Sequence, residues 1–172
     1  MTTLISEIPF SQDAPDLEAA AVATRILSGT EPSKYVLVPL REGADFTLYR
    51  GLQHGNPSPV LVVALTAEQP SPQSLRRLEH EYSLAAELDP GWAAKPLALT
   101  RHEGRTILVL KDPGGEPLDR ILERGHGQPL DLTRALRIAI GLTTALGQVH
   151  RHGLIHKDIK PENVLVDNAN CV

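Results

Sequence analysis

The sequence predicts an α+β fold: a small antiparallel sheet carrying one helix, followed by a helical region. Three observations predict it. Three short β-prone runs between residues 35 and 65 are separated only by turn-like segments. An amphipathic helix and two further strand-like runs come next, and from residue 118 onward apolar residues recur at helical spacing. A chain of 172 residues suits one domain, or one domain plus part of another.

Residues 1–33 read as a leader, within which PDLEAAAVATRILSG (15–29), with its early acids and terminal glycine, suits a short helix. YVLVPL (35–40), TLYRGLQ (47–53) and VLVVAL (60–65) are the three strands of a meander, with REGADF as one turn and HGNPSP as the other. SPQSLRRLEHEYSLAAELD (71–89) predicts a helix whose apolar stripe is Leu75, Leu78, Tyr82, Ala85 and Leu88. AKPLALTRHEGRTILVLKD (94–112) predicts two strands turning at Glu103-Gly104. A short helix begins near Leu118. Asp131 is placed to cap a long helix, 132–152, with the stripe Leu132, Leu136, Ala139, Leu142, Leu146 and Val149.

A net charge of −4 without a basic cluster gives no footprint for nucleic acid or an anionic membrane. One cysteine, Cys171, cannot form an internal disulfide, which points to a reducing compartment. MTTLISEIPF has neither the basic start nor the apolar run of a secretory signal, and no segment is long enough to cross a bilayer. A cytoplasmic location is expected.

The chemistry concentrates in HKDIKPEN (156–163). Phosphoryl transfer needs an oriented nucleophile, cation near the phosphates and oxygen ligands for magnesium. Asp158 can take the proton of an attacking hydroxyl. Lys160 can set a point charge against the transferring phosphate, and Asn163 offers a neutral oxygen to Mg2+. Pro161 stiffens the loop between them.

HKDIKPENVLV resembles the catalytic loop of protein kinases in the form H-[RK]-D-x-K-x-x-N of the serine/threonine group. The resemblance runs from about Tyr35 to Val172. It implies a truncated protein-kinase-like fold, with an N-lobe at 34–112 and the start of a C-lobe at 113–172. It also implies ATP and Mg2+ as cofactors and a protein as substrate. LEHEYSLAAELDP, DPGGEPLDRIL and GLIHKDIKPENVLVD together are similar to the N-terminal kinase-like domains of large bacterial multidomain sensor kinases, so further domains of the same polypeptide are expected. The family's second magnesium ligand, the aspartate of D-F-G, would come after residue 172. These residues alone are therefore expected to be inactive, with α-helical apolar surface on the order of several hundred Å² left bare.

The sequence departs from the family in three places. Arg41, Gly43 and Phe46 fall on the three positions of the glycine-rich loop, so only Gly43 remains as a candidate nucleotide contact. The third-strand lysine is replaced by Val63 or Ala64, and Glu81, its usual helix partner, is then expected to be a surface charge. Lys157 stands where arginine is usual and cannot make a bidentate fork to a phosphate. His156 is expected to be structural. His150 and His152, two apart on a helix, point to different faces and do not suggest a metal site.

Three functions fit. A serine/threonine kinase is favoured by Asp158, Lys160 and Asn163 together. A pseudokinase, a binding and signalling module, is favoured by the lost lysine and glycines. A small-molecule kinase shares the H-x-D-x-x-x-x-N skeleton, and Lys160 speaks against it.

Overall fold

The computed structural model describes residues 35–53 and 58–167; the predicted leader helix, most of the second turn and Cys171 lie outside the described residues. The described chain forms two units, residues 35–82 with 97–112 and residues 83–96 with 113–167.

The first unit is built on a five-stranded antiparallel sheet, with strands β1 (Tyr35–Glu42), β2 (Phe46–Gln53), β3 (Pro59–Leu65), β4 (Pro96–His102) and β5 (Arg105–Lys111) in the order β1-β2-β3-β5-β4. The meander is as expected. The central strand β3 is a continuous apolar run because both its faces are covered. Val60, Val62 and Ala64 join Tyr35, Ile107 and Val109 in one buried cluster. Leu61 and Val63 alternate to the other face, level with Leu110 and Leu108 of β5, and all four are buried. The β4–β5 turn puts Glu103 and Gly104 at φ 49° and 76°, the double left-handed geometry that suits a two-residue hairpin.

Helix α1 (Pro72–Ser83) starts at Ser71, whose Oγ accepts from the Ser74 N–H at 3.1 Å. It is shorter than the predicted 71–89, since Leu84–Ala86 tighten into a 3-10 turn. The predicted stripe holds at Leu78 and Leu88 but fails at Tyr82. Leu78 and Glu81, three apart, are the residues that α1 buries, whereas Tyr82 is 41% exposed. Glu81 is thus not the surface charge that its lost partner suggested.

In the second unit, β6 (Glu116–Pro117) leads into α2 (Leu118–Arg124), followed by α3 (Leu132–Arg151) and β7 (Leu165–Val166), which pairs antiparallel with β6. Asp131 caps α3 as predicted, its Oδ1 accepting from the Arg134 N–H at 3.0 Å. The long-helix stripe divides. Val149 and Ala145 pack with Leu88, Trp92 and Ala93, supported by Leu142 and Leu146, whereas Leu132 and Leu136 are 73% and 52% exposed. The helix turns its N-terminal half through Ile138 instead, which joins Ile121, Val164 and Val166 in a second cluster. Thr143 and Thr144 donate their hydroxyls to the carbonyls of Ala139 and Ile140, so the bare face of α3 shows methyl groups beside Ile140.

Candidate active site

The end of α3 launches the functional loop. Gly153, at φ 74°, closes the helix: its N–H donates to the His150 carbonyl at 3.0 Å, and the Leu154 N–H donates to the Val149 carbonyl at 3.1 Å. This is the helix stop that a left-handed glycine permits. Four residues later Lys157 also takes a positive φ, 61°. For a side-chain-bearing residue that costs roughly 1–2 kcal/mol. The turn brings the Asp158 N–H to 3.3 Å from His156 Nδ1, which accepts it. His156 has the structural role expected of it.

Pro161–Asn163 form a 3-10 turn, with the Asn163 N–H donating to the Lys160 carbonyl at 2.9 Å. The turn folds Asn163 back onto Asp158. Its Nδ2 donates to the Asp158 backbone oxygen at 2.8 Å and to Asp158 Oδ2 at 3.0 Å. Lys160 Nζ lies 3.4 Å from the same Oδ2. Burial alone would raise the Asp158 carboxyl, but the Asn163 hydrogen bond and the Lys160 cation outweigh it and hold it below its ordinary value. Both partners converge on Oδ2 rather than Oδ1.

Asn163 is 1% exposed, and its Oδ1 is a buried oxygen with no hydrogen-bond partner. A buried carbonyl oxygen without a donor costs free energy unless something electropositive meets it. Placed beside an ionised carboxylate, it fits a hard cation such as Mg2+, which takes oxygen ligands.

The three loop residues singled out by sequence, Asp158, Lys160 and Asn163, are therefore brought together. Gly43 belongs to the other unit. It sits in the β1–β2 turn, where its N–H donates to the Phe46 carbonyl at 3.0 Å and a Cβ would meet that oxygen at 2.9 Å. Its amide is committed to the hairpin. On β3 the positions lacking lysine, Val63 and Ala64, are 6% and 9% exposed. Burial pushes the Glu81 carboxyl up.

Two features had no sequence signal. Asp112, its side chain fully buried, accepts from Arg50 Nε at 2.5 Å and Nη2 at 3.0 Å, tying the end of β5 to β2 across sixty-two residues of chain. Gly115, at φ 72°, packs against the backbone of Val166.

The sequence model of a family described as protein tyrosine and serine/threonine kinase matches residues 39–172. Over 159 residues the chain is 29% identical to serine/threonine-protein kinase PknL of Mycobacterium bovis, covering 91% of this chain and 37% of that protein. It is 39% identical over 66 residues to serine/threonine-protein kinase PKZ1 of Phytophthora infestans, 37% of this chain and 16% of that one. It is 34% identical over 91 residues to serine/threonine-protein kinase pkn3 of Myxococcus xanthus, 53% of this chain and 15% of that one. The chain spans well under half the length of these curated relatives.

Proposed function

The chain belongs to the protein tyrosine and serine/threonine kinase family, and from that membership we propose that it serves ATP-dependent phosphoryl transfer to serine or threonine hydroxyls of a protein. The observation that carries this is the convergence of Asn163 and Lys160 on Oδ2 of Asp158. It holds the carboxylate ionised and oriented, with Oδ1 as the oxygen to accept the proton of an incoming hydroxyl. Lys160, 43% exposed at its side chain, can swing from Asp158 to a phosphate oxygen as charge develops there. Asn163 Oδ1 would be one oxygen ligand of Mg2+, which when bound neutralises charge on phosphate oxygens.

The relatives' names and greater length support a role as one part of a longer signalling polypeptide, and the bacterial sensor-kinase resemblance in LEHEYSLAAELDP and GLIHKDIKPENVLVD points the same way. Among the described residues no helix is long and apolar enough to cross a membrane.

A second reading is favoured by β3. Its side chains are wholly apolar, and the two positions where a phosphate-gripping lysine would stand are closed off from solvent. A kinase-like binding module without transfer has no need of that lysine. Calorimetric titration of ATP with and without Mg2+ separates the two. Mg2+-dependent binding that is lost in Asn163→Ala supports transfer, whereas absence of any binding leaves the binding module standing and sinks the catalytic proposal.

A further inference from the structure

We infer that Gly115 is a positioning residue for the Asp158–Asn163 pair, acting through β7; the inference rests on the functional reading above. Asn163 is separated from β7 by Val164 alone, so whatever places β7 places Asn163. The strand is held from one side by the segment 115–118. Glu116 pairs with Val166, Pro117 with Leu165, and the Leu118 N–H donates to the Val164 carbonyl at 2.9 Å. From the other side Val164 and Val166 are packed against Ile121 and Ile138, and Asn163 itself is 1% exposed.

Gly115 stands at the start of this seam. A Cβ there would lie 2.7 Å from the Val166 carbonyl oxygen, 2.8 Å from its carbon and 3.1 Å from the Asp167 nitrogen. All three are backbone atoms, which cannot swing aside as a flexible side chain does. A methyl group at 115 therefore moves β7. The bonds from Asn163 Nδ2 to Asp158 are 2.8 and 3.0 Å long, and a displacement of about half an ångström carries them to the edge of hydrogen-bonding distance.

The neighbouring Gly114 supplies the control. It too has a left-handed backbone, at φ 83°, but a Cβ there meets nothing within 4 Å. Gly114→Ala carries the conformational cost of alanine at positive φ without the collision, and Gly115→Ala carries both.

The test compares the two variants by NMR. The Asn163 side-chain NH2 pair, assigned by its disappearance in Asn163→Asp, reports the hydrogen bonds to Asp158. The expected result is that both variants lower Tm, but only Gly115→Ala shifts the Asn163 pair. Equal effects of the two variants on Asn163, or none from either, would overturn the inference. Should Gly115→Ala not fold, Leu118→Pro takes its place. Proline is tolerated at the first position of a helix and deletes the N–H that bonds Val164. It must shift the Asn163 pair in the same sense, and an unmoved pair would again overturn the inference. These readouts need neither nucleotide nor turnover, so a failure here is distinct from a failure of the kinase reading.

Discussion

Asn163 reaches back five residues and donates through one nitrogen to both the backbone oxygen and Oδ2 of Asp158, at 2.8 and 3.0 Å. Its own oxygen is left buried and unpartnered. Asn163→Ala is predicted to cost about 1–3 kcal/mol, because the part-buried Asp158 oxygen loses its donor. Chemical denaturation measures this, and an unchanged midpoint would contradict it.

The Asp158 carboxyl is held below its ordinary value, so the fold favours its ionised form. The sign follows: its contribution to stability is complete above the ordinary aspartate range and is lost as pH falls through the lowered folded value. With the side chain 41% exposed, the effect on stability is small and is better followed at the residue. Lys160→Met removes one of the lowering influences. NMR titration is expected to find the Asp158 midpoint moved upward, and more so at low salt than at high.

Glu81 behaves in the opposite sense. Burial raises its carboxyl, against weaker lowering by His80 and Arg77. A carboxyl raised in the fold favours stability most below its ordinary value, and that contribution is lost as pH rises through the folded value. Glu81→Gln should flatten the fall in stability above the ordinary glutamate range. Denaturation series at several pH values test it, and parallel curves for the two proteins would rule it out.

Asp112 is fully buried and doubly bonded to Arg50, which is 31% exposed. Removing the carboxylate by Asp112→Ala takes two hydrogen bonds from a partly buried guanidinium, with an expected loss of about 2–4 kcal/mol. A double-mutant cycle with Arg50→Ala should recover part of that loss, and strict additivity would show that the pair does not couple.

The bare face of α3 carries Leu136 at 52% and Ile140 at 66% exposure. Replacing both by glutamine is expected to lower the binding of a hydrophobic dye while leaving stability within roughly 1 kcal/mol, since neither packs in the core. Unchanged dye fluorescence would place the apolar surface elsewhere.

Most of the architecture was legible because its signals are local. Apolar runs bounded by turn residues mark the meander, Asp131 marks the start of α3, and Gly153 marks its end. The loop was legible because three chemically distinct side chains stand at fixed short spacings. What escaped depends on contacts distant in sequence. Helical spacing put Tyr82 beside Leu78 on the buried face of α1, but packing buries Leu78 and Glu81 and leaves Tyr82 outside. Leu132 and Leu136 continue the stripe of Leu142 and Val149 in sequence, yet the second cluster recruits Ile138 from a neighbouring line. The Arg50–Asp112 tie joins two strands that no periodicity connects, and the approach of Gly115 to Val166 joins segments fifty-one residues apart.

The most direct test of the central claim is phosphoryl transfer from labelled ATP to a protein hydroxyl, with Mg2+, by the natural polypeptide carrying this chain and by its Asp158→Asn form. The predicted result is Mg2+-dependent transfer to serine or threonine that falls by roughly 10²–10⁴ in the variant, the range a positioned proton acceptor supplies. Transfer that survives Asp158→Asn unchanged, or none from the wild type, would contradict the assignment of Asp158 as the acceptor in an active kinase site.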